Sequence, residues 1–276
     1  MADARTTRYP KGPITYLLRV VVVVYLGLLV AWPLLLVVTN TFANGFESLQ
    51  SLFEDPDMVA ALRLTAVAAL AATAINLVFG VGISLLLVRT EFPGKRLLSA
   101  LLDLPLSVSP IVVGLALVLV YGGRDGWFGP TLESRGIQVI FSTPGIVMAT
   151  AFVALPLVIR EVVPVLREIG TEQEQAARSL GANAWQTFWR ITLPSIRWAV
   201  VYGVVLTLAR SLGEFGAVKV VSGNILGETR TATLAVEEKY LNFDAEGAYA
   251  IAFLLASVSV VCIVVVQVLR ARAARH

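Results

Sequence analysis

The chain has 276 residues, of which 57% are hydrophobic and 15% charged, with a net charge of +3 and a mean hydropathy of +0.78. That composition excludes an ordinary soluble domain, because so apolar a chain has too little polar surface to remain in water. A single cysteine, Cys262, and a single histidine, His276, exclude an internal disulfide, a thiol metal site and a histidine-centred catalytic site.

A hydrocarbon core of roughly 30 Å is crossed by about 20 apolar residues in a helix. Six stretches reach that length, near 15–38, 60–88, 99–121, 138–160, 198–222 and 247–269. The unbroken run Val20 to Leu29 lacks the alternation of barrel strands, so the expected fold is an all-α integral membrane bundle of six transmembrane helices. The first stretch follows Arg5, Arg8 and Lys11 as a signal peptide does. Its length, and the lack of a small-residue cleavage site close behind it, make it a spanning helix instead.

In the second span, Ala68, Ala72, Asn76, Gly80 and Ser84 recur every four residues and form a strip of small or weakly polar groups, a surface for helix packing. Asn76 is read as an interhelical hydrogen-bonding residue, with substrate contact as the alternative. The third span opens Leu102-Asp103-Leu104-Pro105-Leu106-Ser107-Val108-Ser109-Pro110, where two prolines interrupt backbone pairing near the membrane edge. Broken helices expose backbone groups and hydroxyls to solute cavities, which makes Asp103, Ser107 and Ser109 pathway candidates. Asp103 is expected to cap or orient the break rather than bind an anion.

Between the fourth and fifth spans lies a polar loop, 161–197, punctuated by Pro164, Gly170, Gly181 and Pro194. Thr171 and Glu174 have capping-box spacing, so a helix is expected from Glu172 to about Leu180, with Gly181 taking a left-handed conformation at its end. A second short helix is expected from about Asn183 to Thr192, stopping before Pro194. Trp185, Phe188 and Trp189 give it an apolar face. An interfacial amphipathic helix is the plainer alternative.

In the fifth span, Arg210 and Glu214 stand one helical turn apart within Ala209-Arg210-Ser211-Leu212-Gly213-Glu214-Phe215-Gly216-Ala217. Charges at that depth are expensive and pair inside the bundle, so the two are expected to form a structural or gating pair; an anion site at Arg210 is the alternative.

Basic residues alternate across the segments flanking the spans. They cluster at Arg5, Arg8 and Lys11, at Arg89, Lys95 and Arg96, at Arg160, Arg167, Arg178, Arg190 and Arg197, and at Arg270, Arg272 and Arg275. The positive-inside rule places these four segments, including both termini (1–14 and 270–276) and the polar loop, in the cytoplasm. Small basic groups at membrane edges do not make a nucleic-acid surface, so no nucleic-acid partner is expected and the lipid bilayer is the surrounding medium.

Gln175-Ala176-Ala177, then Gly181 after three residues and Ile191, Leu193 and Pro194 after nine more, resemble the ATPase-docking loop of ABC importer permeases. That pattern runs Glu-Ala-Ala, three residues, Gly, nine residues, Ile-x-Leu-Pro, and this chain departs from it at Gln175. A carboxylate able to pair with a basic partner residue is lost there, unless Glu174 or Glu172 takes its place. Across nearly the whole chain, Leu102-Asp103-Leu104-Pro105, Val108-Ser109-Pro110, Arg160-Glu161-Val162-Val163-Pro164, Gly213-Glu214-Phe215-Gly216-Ala217 and Val220-Val221-Ser222-Gly223 resemble the CysW-type permeases of bacterial sulfate/thiosulfate ABC importers.

The resemblance implies a type I ABC importer permease fold in the bacterial inner membrane. It implies a heterodimer with a second sulfate permease subunit, a cytoplasmic ATPase dimer that uses ATP and Mg, and an extracytoplasmic sulfate-binding protein. The chain itself has no Gly-x-x-x-x-Gly-Lys-Ser/Thr loop and no expected cofactor or metal. The Gly-Glu-Phe-Gly-Ala element is shared with molybdate permeases, which leaves molybdate or another tetrahedral oxyanion as the alternative cargo. A stand-alone channel or secondary transporter using Arg210 and Glu214 as a relay is the more distant alternative. An intramembrane enzyme lacks the residues for a reactive centre.

Overall fold

The computed structural model describes the backbone from Pro13 to Ala273 and the side chains through Val268. Arg5, Arg8, Lys11 and Arg275, and the side chains of Arg270 and Arg272, lie outside the described residues. Among the described residues every regular element is helical. Five helices are long and apolar enough to cross a membrane, or six if one sharply bent pair counts as a span.

Helix α1 (Pro13–Leu26) passes through a π-helical turn, Gly27–Ala31, into α2 (Trp32–Thr41), and in this 29-residue rod only Thr41 is buried. The short α3 (Glu47–Glu54) leads to α4 (Pro56–Arg89), whose start is fixed by Asp55: its carboxylate accepts the Asp57 N–H at 3.0 Å, ahead of Pro56 in the first turn.

The third span is not one rod. Helix α5 (Lys95–Ser107) and helix α6 (Pro110–Tyr121) meet at 115°. Pro110 disfavours helical geometry in the residue before it, and Ser109 is accordingly extended, at φ −59° and ψ 134°.

After α7 (Gly129–Glu133) comes α8 (Thr143–Glu168), which begins later and runs further than the expected 138–160 because the chain turns just before it: Phe141 takes a left-handed φ of 61° and its N–H donates to the Val221 carbonyl at 2.8 Å. Helix α9 (Glu172–Ser179) and α10 (Ala184–Thr187) form the polar loop. A π-helical turn, Phe188–Thr192, then joins α10 to α11 (Leu193–Leu212).

The expected stop before Pro194 therefore does not occur. The widened turn lets Leu193 donate to the Phe188 carbonyl, and Pro194 enters the second position of the next helical segment, where its missing N–H costs little. The fifth span consequently starts at Ala184 and ends at Leu212, short of the expected 222. Beyond it lie α12 (Gly216–Val221), α13 (Ala232–Leu241) and α14 (Ala245–Ala273).

The interior is organised around α8, whose Ile146, Ala149, Val158, Val162 and Leu166 are fully buried. In lipid, apolar side chains gain little from leaving the solvent, so close packing and interhelical polar bonds hold the bundle. The predicted strip on α4 supplies both: Ala68, Ala72, Asn76, Gly80 and Ser84 are all buried, and the Asn76 amide donates to the Ala151 carbonyl at 2.9 Å. Val158 is seated between two glycines: a Cβ at Gly80 of α4 would lie 2.8 Å from the Val158 Cβ, and one at Gly203 of α11 would lie 2.9 Å from its Cα. A second cluster, Leu52, Met58, Ala232, Ala235, Ala250 and Ile251, draws α3, α13 and α14 onto the start of α4. There the Thr65 hydroxyl accepts the Ala232 N–H at 2.8 Å and satisfies a free donor at the head of α13.

Candidate functional site

Helix α9 stands almost clear of the bundle. Gln175, Ala176, Arg178 and Ser179 are exposed, Ala177 is half-buried, and Leu180 at its end is 89% exposed. Its C-terminus closes with the paired bonds of a Schellman motif, Ala182 N–H to Ala177 carbonyl at 3.0 Å and Gly181 N–H to Arg178 carbonyl at 2.9 Å. Gly181 takes φ +87° there, as its position predicts, with open space where a Cβ would be.

The expected capping box at Thr171 is absent. The Thr171 hydroxyl instead accepts the Gln175 side-chain amide at 3.0 Å, and the capping box is at Asn183 and Gln186, one helix later. The reason is Glu174, the one buried residue of α9, which turns inward rather than back towards Thr171. Its carboxylate lies 3.0 Å from the Arg89 Nε and accepts the Thr192 hydroxyl at 2.9 Å. Arg89, the last residue of α4, also donates to the carbonyls of Leu166 at 3.0 Å and Gly170 at 2.7 Å. Glu174 is therefore already paired within the chain, whereas Glu172 is exposed. Of the other motif residues, Ile191 and Leu193 are half-buried and Pro194 is exposed, on the stretch that carries Thr192.

The two chain breaks meet. A Cβ on Gly216 would lie 3.0 Å from the Pro110 Cβ, and one on Gly114 would lie 2.7 Å from the Ala217 carbonyl. The Ser109-Pro110 corner is thus packed against the Gly213-Glu214-Phe215-Gly216 corner. Glu214 is 4% exposed, 2.8 Å from the Arg210 guanidinium, and accepts the Ala217 N–H at 3.0 Å, which stitches α11 to α12 across the break. Thr233 of α13 donates to its backbone carbonyl at 2.9 Å. Lys219 pairs with Glu237 of α13 and lies 5.3 Å from the Phe215 ring centre.

Asp103 does not cap the break. It forms an ion pair of 3.0 Å with Arg160 of α8, both side chains more than half exposed. Ser107 donates weakly to the Asp103 carbonyl at 3.4 Å, and the exposed Ser109 makes no capping bond. No group of three metal-ligating side chains occurs among the described residues.

The family model for binding-protein-dependent transport system inner membrane components matches residues 77–275. A sulfate transport system permease protein CysW of Synechocystis is 48% identical over 272 residues, 98% of each chain. The Escherichia coli protein of the same name is 43% identical, with 87% of this chain and 82% of that one covered. The Escherichia coli sulfate permease protein CysT is 36% identical, covering 91% of each. Among solved structures, a bacterial ABC transporter that imports alginate superposes with a TM-score of 0.72 at 18% identity over 95% of each chain. The MetNI methionine ABC transporter, in an inward-facing form, superposes with a TM-score of 0.57 at 19% identity over 77% of this chain and 94% of that one. At such identities the likeness is one of fold.

Proposed function

The chain belongs to the family of binding-protein-dependent transport system inner membrane components, and on that premise we propose that it carries sulfate into the cell as one of two unlike permease subunits of an ATP-driven importer. It is a multi-pass membrane permease subunit and not itself an enzyme. ATP with Mg is used by a separate cytoplasmic ATPase dimer, and a sulfate-binding protein delivers the anion from the other side. The second permease subunit is of the kind that the CysT relative represents.

The observation that carries the reading is helix α9: short, exposed, lined by Gln175, Ala176 and Ala177, and ended by the left-handed Gly181. Side chains no larger than a methyl group let a helix seat in a cleft of a partner, and among the described residues nothing covers the bare face. Both termini and this helix lie in the cytoplasm, in keeping with the basic residues at Arg167, Arg178, Arg190 and Arg197. ATP-driven closure of the ATPase pair moves α9, and the spans turn about the apposed breaks at Ser109 and Glu214 to open the pathway alternately to either side.

The test is reconstitution of the chain with its second permease, ATPase and binding protein in liposomes, with labelled sulfate competed in turn by thiosulfate, molybdate and phosphate. Sulfate-loaded binding protein should stimulate ATP hydrolysis and uptake. Stimulation by molybdate alone, or uptake by this chain without the ATPase, would overturn the reading.

A further inference from the structure

The geometry points to Glu174 as the joint that makes α9 rigid with the spans. We propose that it is a positioning residue for transport, whose carboxylate, held by Arg89 and Thr192, turns a displacement of α9 into a displacement of the bundle. This rests on the reading of α9 as the element that receives the ATPase.

Everything on α9 that faces outward is free to meet a partner, and Glu174 alone is buried. Its carboxylate is gripped from two directions. The Arg89 Nε and one terminal nitrogen each lie 3.2 Å from Oε1, and the Thr192 hydroxyl donates to the same oxygen at 2.9 Å. The remaining guanidinium donors reach Leu166 and Gly170, at the end of α8. Four pieces of chain therefore converge on one ion pair: the end of α8 on the Arg89 guanidinium that closes α4, and the π-turn that continues into α11 on the Glu174 carboxylate of α9.

A chain needing only to hold α9 in place has a simpler solution. An apolar residue at 174 would pack against the bundle, and replacing a buried ion pair by such a residue is often neutral or stabilising. What the pair adds is direction. The guanidinium fork has fixed geometry, so it sets the angle of α9 as well as its proximity, and a lysine ammonium has no such fork. A greasy contact slides; a satisfied polar hub has two discrete states, formed or broken.

The experiment uses the full complex in proteoliposomes, with sulfate uptake and ATP hydrolysis measured on the same vesicles and ATPase recovery measured by co-purification. Glu174→Gln and Arg89→Lys should keep the ATPase bound and hydrolysing, while sulfate moved per ATP falls roughly tenfold. Thr192→Val removes a single hydroxyl at nearly constant volume and should give a smaller loss in the same ratio. It decides the matter if the other two fail to assemble. An unchanged ratio in every variant that assembles, whatever the yield, would make the hub a mere folding staple and overturn the proposal. Ala176→Trp is the control for the underlying reading and should abolish ATPase co-purification. If it leaves binding and uptake intact, α9 is not the ATPase contact and the proposal falls with that reading.

Discussion

Glu214 holds the Arg210 guanidinium at 2.8 Å with one carboxylate oxygen and accepts the Ala217 N–H at 3.0 Å with the other. A single buried side chain thus serves two helices, pairing the last turn of α11 and supplying the acceptor that the first turn of α12 requires. The pair is asymmetric: the Arg210 side chain is 40% exposed, the Glu214 side chain 2%. Glu214→Gln keeps the acceptor and loses the charge, whereas Glu214→Ala loses both. Thermal unfolding in detergent should rank Ala below Gln, with the lost capping bond alone worth about 1 kcal/mol. Arg210→Met leaves a buried carboxylate without its partner and should destabilise by more than Glu214→Gln does.

The two glycines around Val158 make a sharper test, because they touch different parts of it. At Gly203 the added Cβ meets the Val158 backbone at 2.9 Å, which no side-chain change can move; at Gly80 it meets the Val158 side chain at 2.8 Å. Each Gly→Ala substitution should cost about 1–3 kcal/mol by overpacking. Val158→Ala should relieve the clash of Gly80→Ala only in part in a double-mutant cycle, since it removes Cγ1 at 2.9 Å but keeps Cβ at 2.8 Å, and should leave that of Gly203→Ala almost wholly in place.

The Asp103–Arg160 pair should matter little for stability. With side chains 63% and 60% exposed, it belongs with surface ion pairs worth about 0–1 kcal/mol. Asp103→Asn should leave the unfolding midpoint in detergent within about a degree or two of the parent, since a change of that size is divided by the large unfolding entropy of a long chain.

Outside the spans, the Lys239 ammonium hydrogen-bonded to Asp244 holds its carboxyl below the ordinary carboxylate value. Partial burial opposes this, and the Gly247 N–H adds to it. Because the folded value is lowered, the contribution is present at pH above the unfolded carboxylate value and disappears as pH falls through the lowered one. Amide exchange at Gly247 and Ala248, in the first turn of α14, should accelerate in that acid window. Asp244→Asn should remove the step.

Elements whose cause lies within a few residues were legible in the sequence. The kink at Ser109 follows from the proline after it, the left-handed Gly181 from its place behind a short helix, and the strip through Asn76 from its spacing of four. What stayed hidden depends on partners far along the chain. Glu174 has local spacing to cap Thr171 but meets Arg89, 85 residues away, and Asp103 meets Arg160 at a separation of 57. Periodicity tells which face of a helix is buried and is silent on what lies opposite. Pro194 misled for another reason: a π-turn accommodates a proline that an unbroken α-helix rejects, and no local residue announces it.

The rod from Pro13 to Thr41 buries no residue before its last, although its second half, α2, lies along α14. Insertion of that leading segment and consolidation of the remaining helices are accordingly separable events, and a truncation removing it would spare every buried contact described around Val158. Ahead of the stretch where α2 lies along α14, its length can follow the thickness of the host bilayer without disturbing the helices behind it.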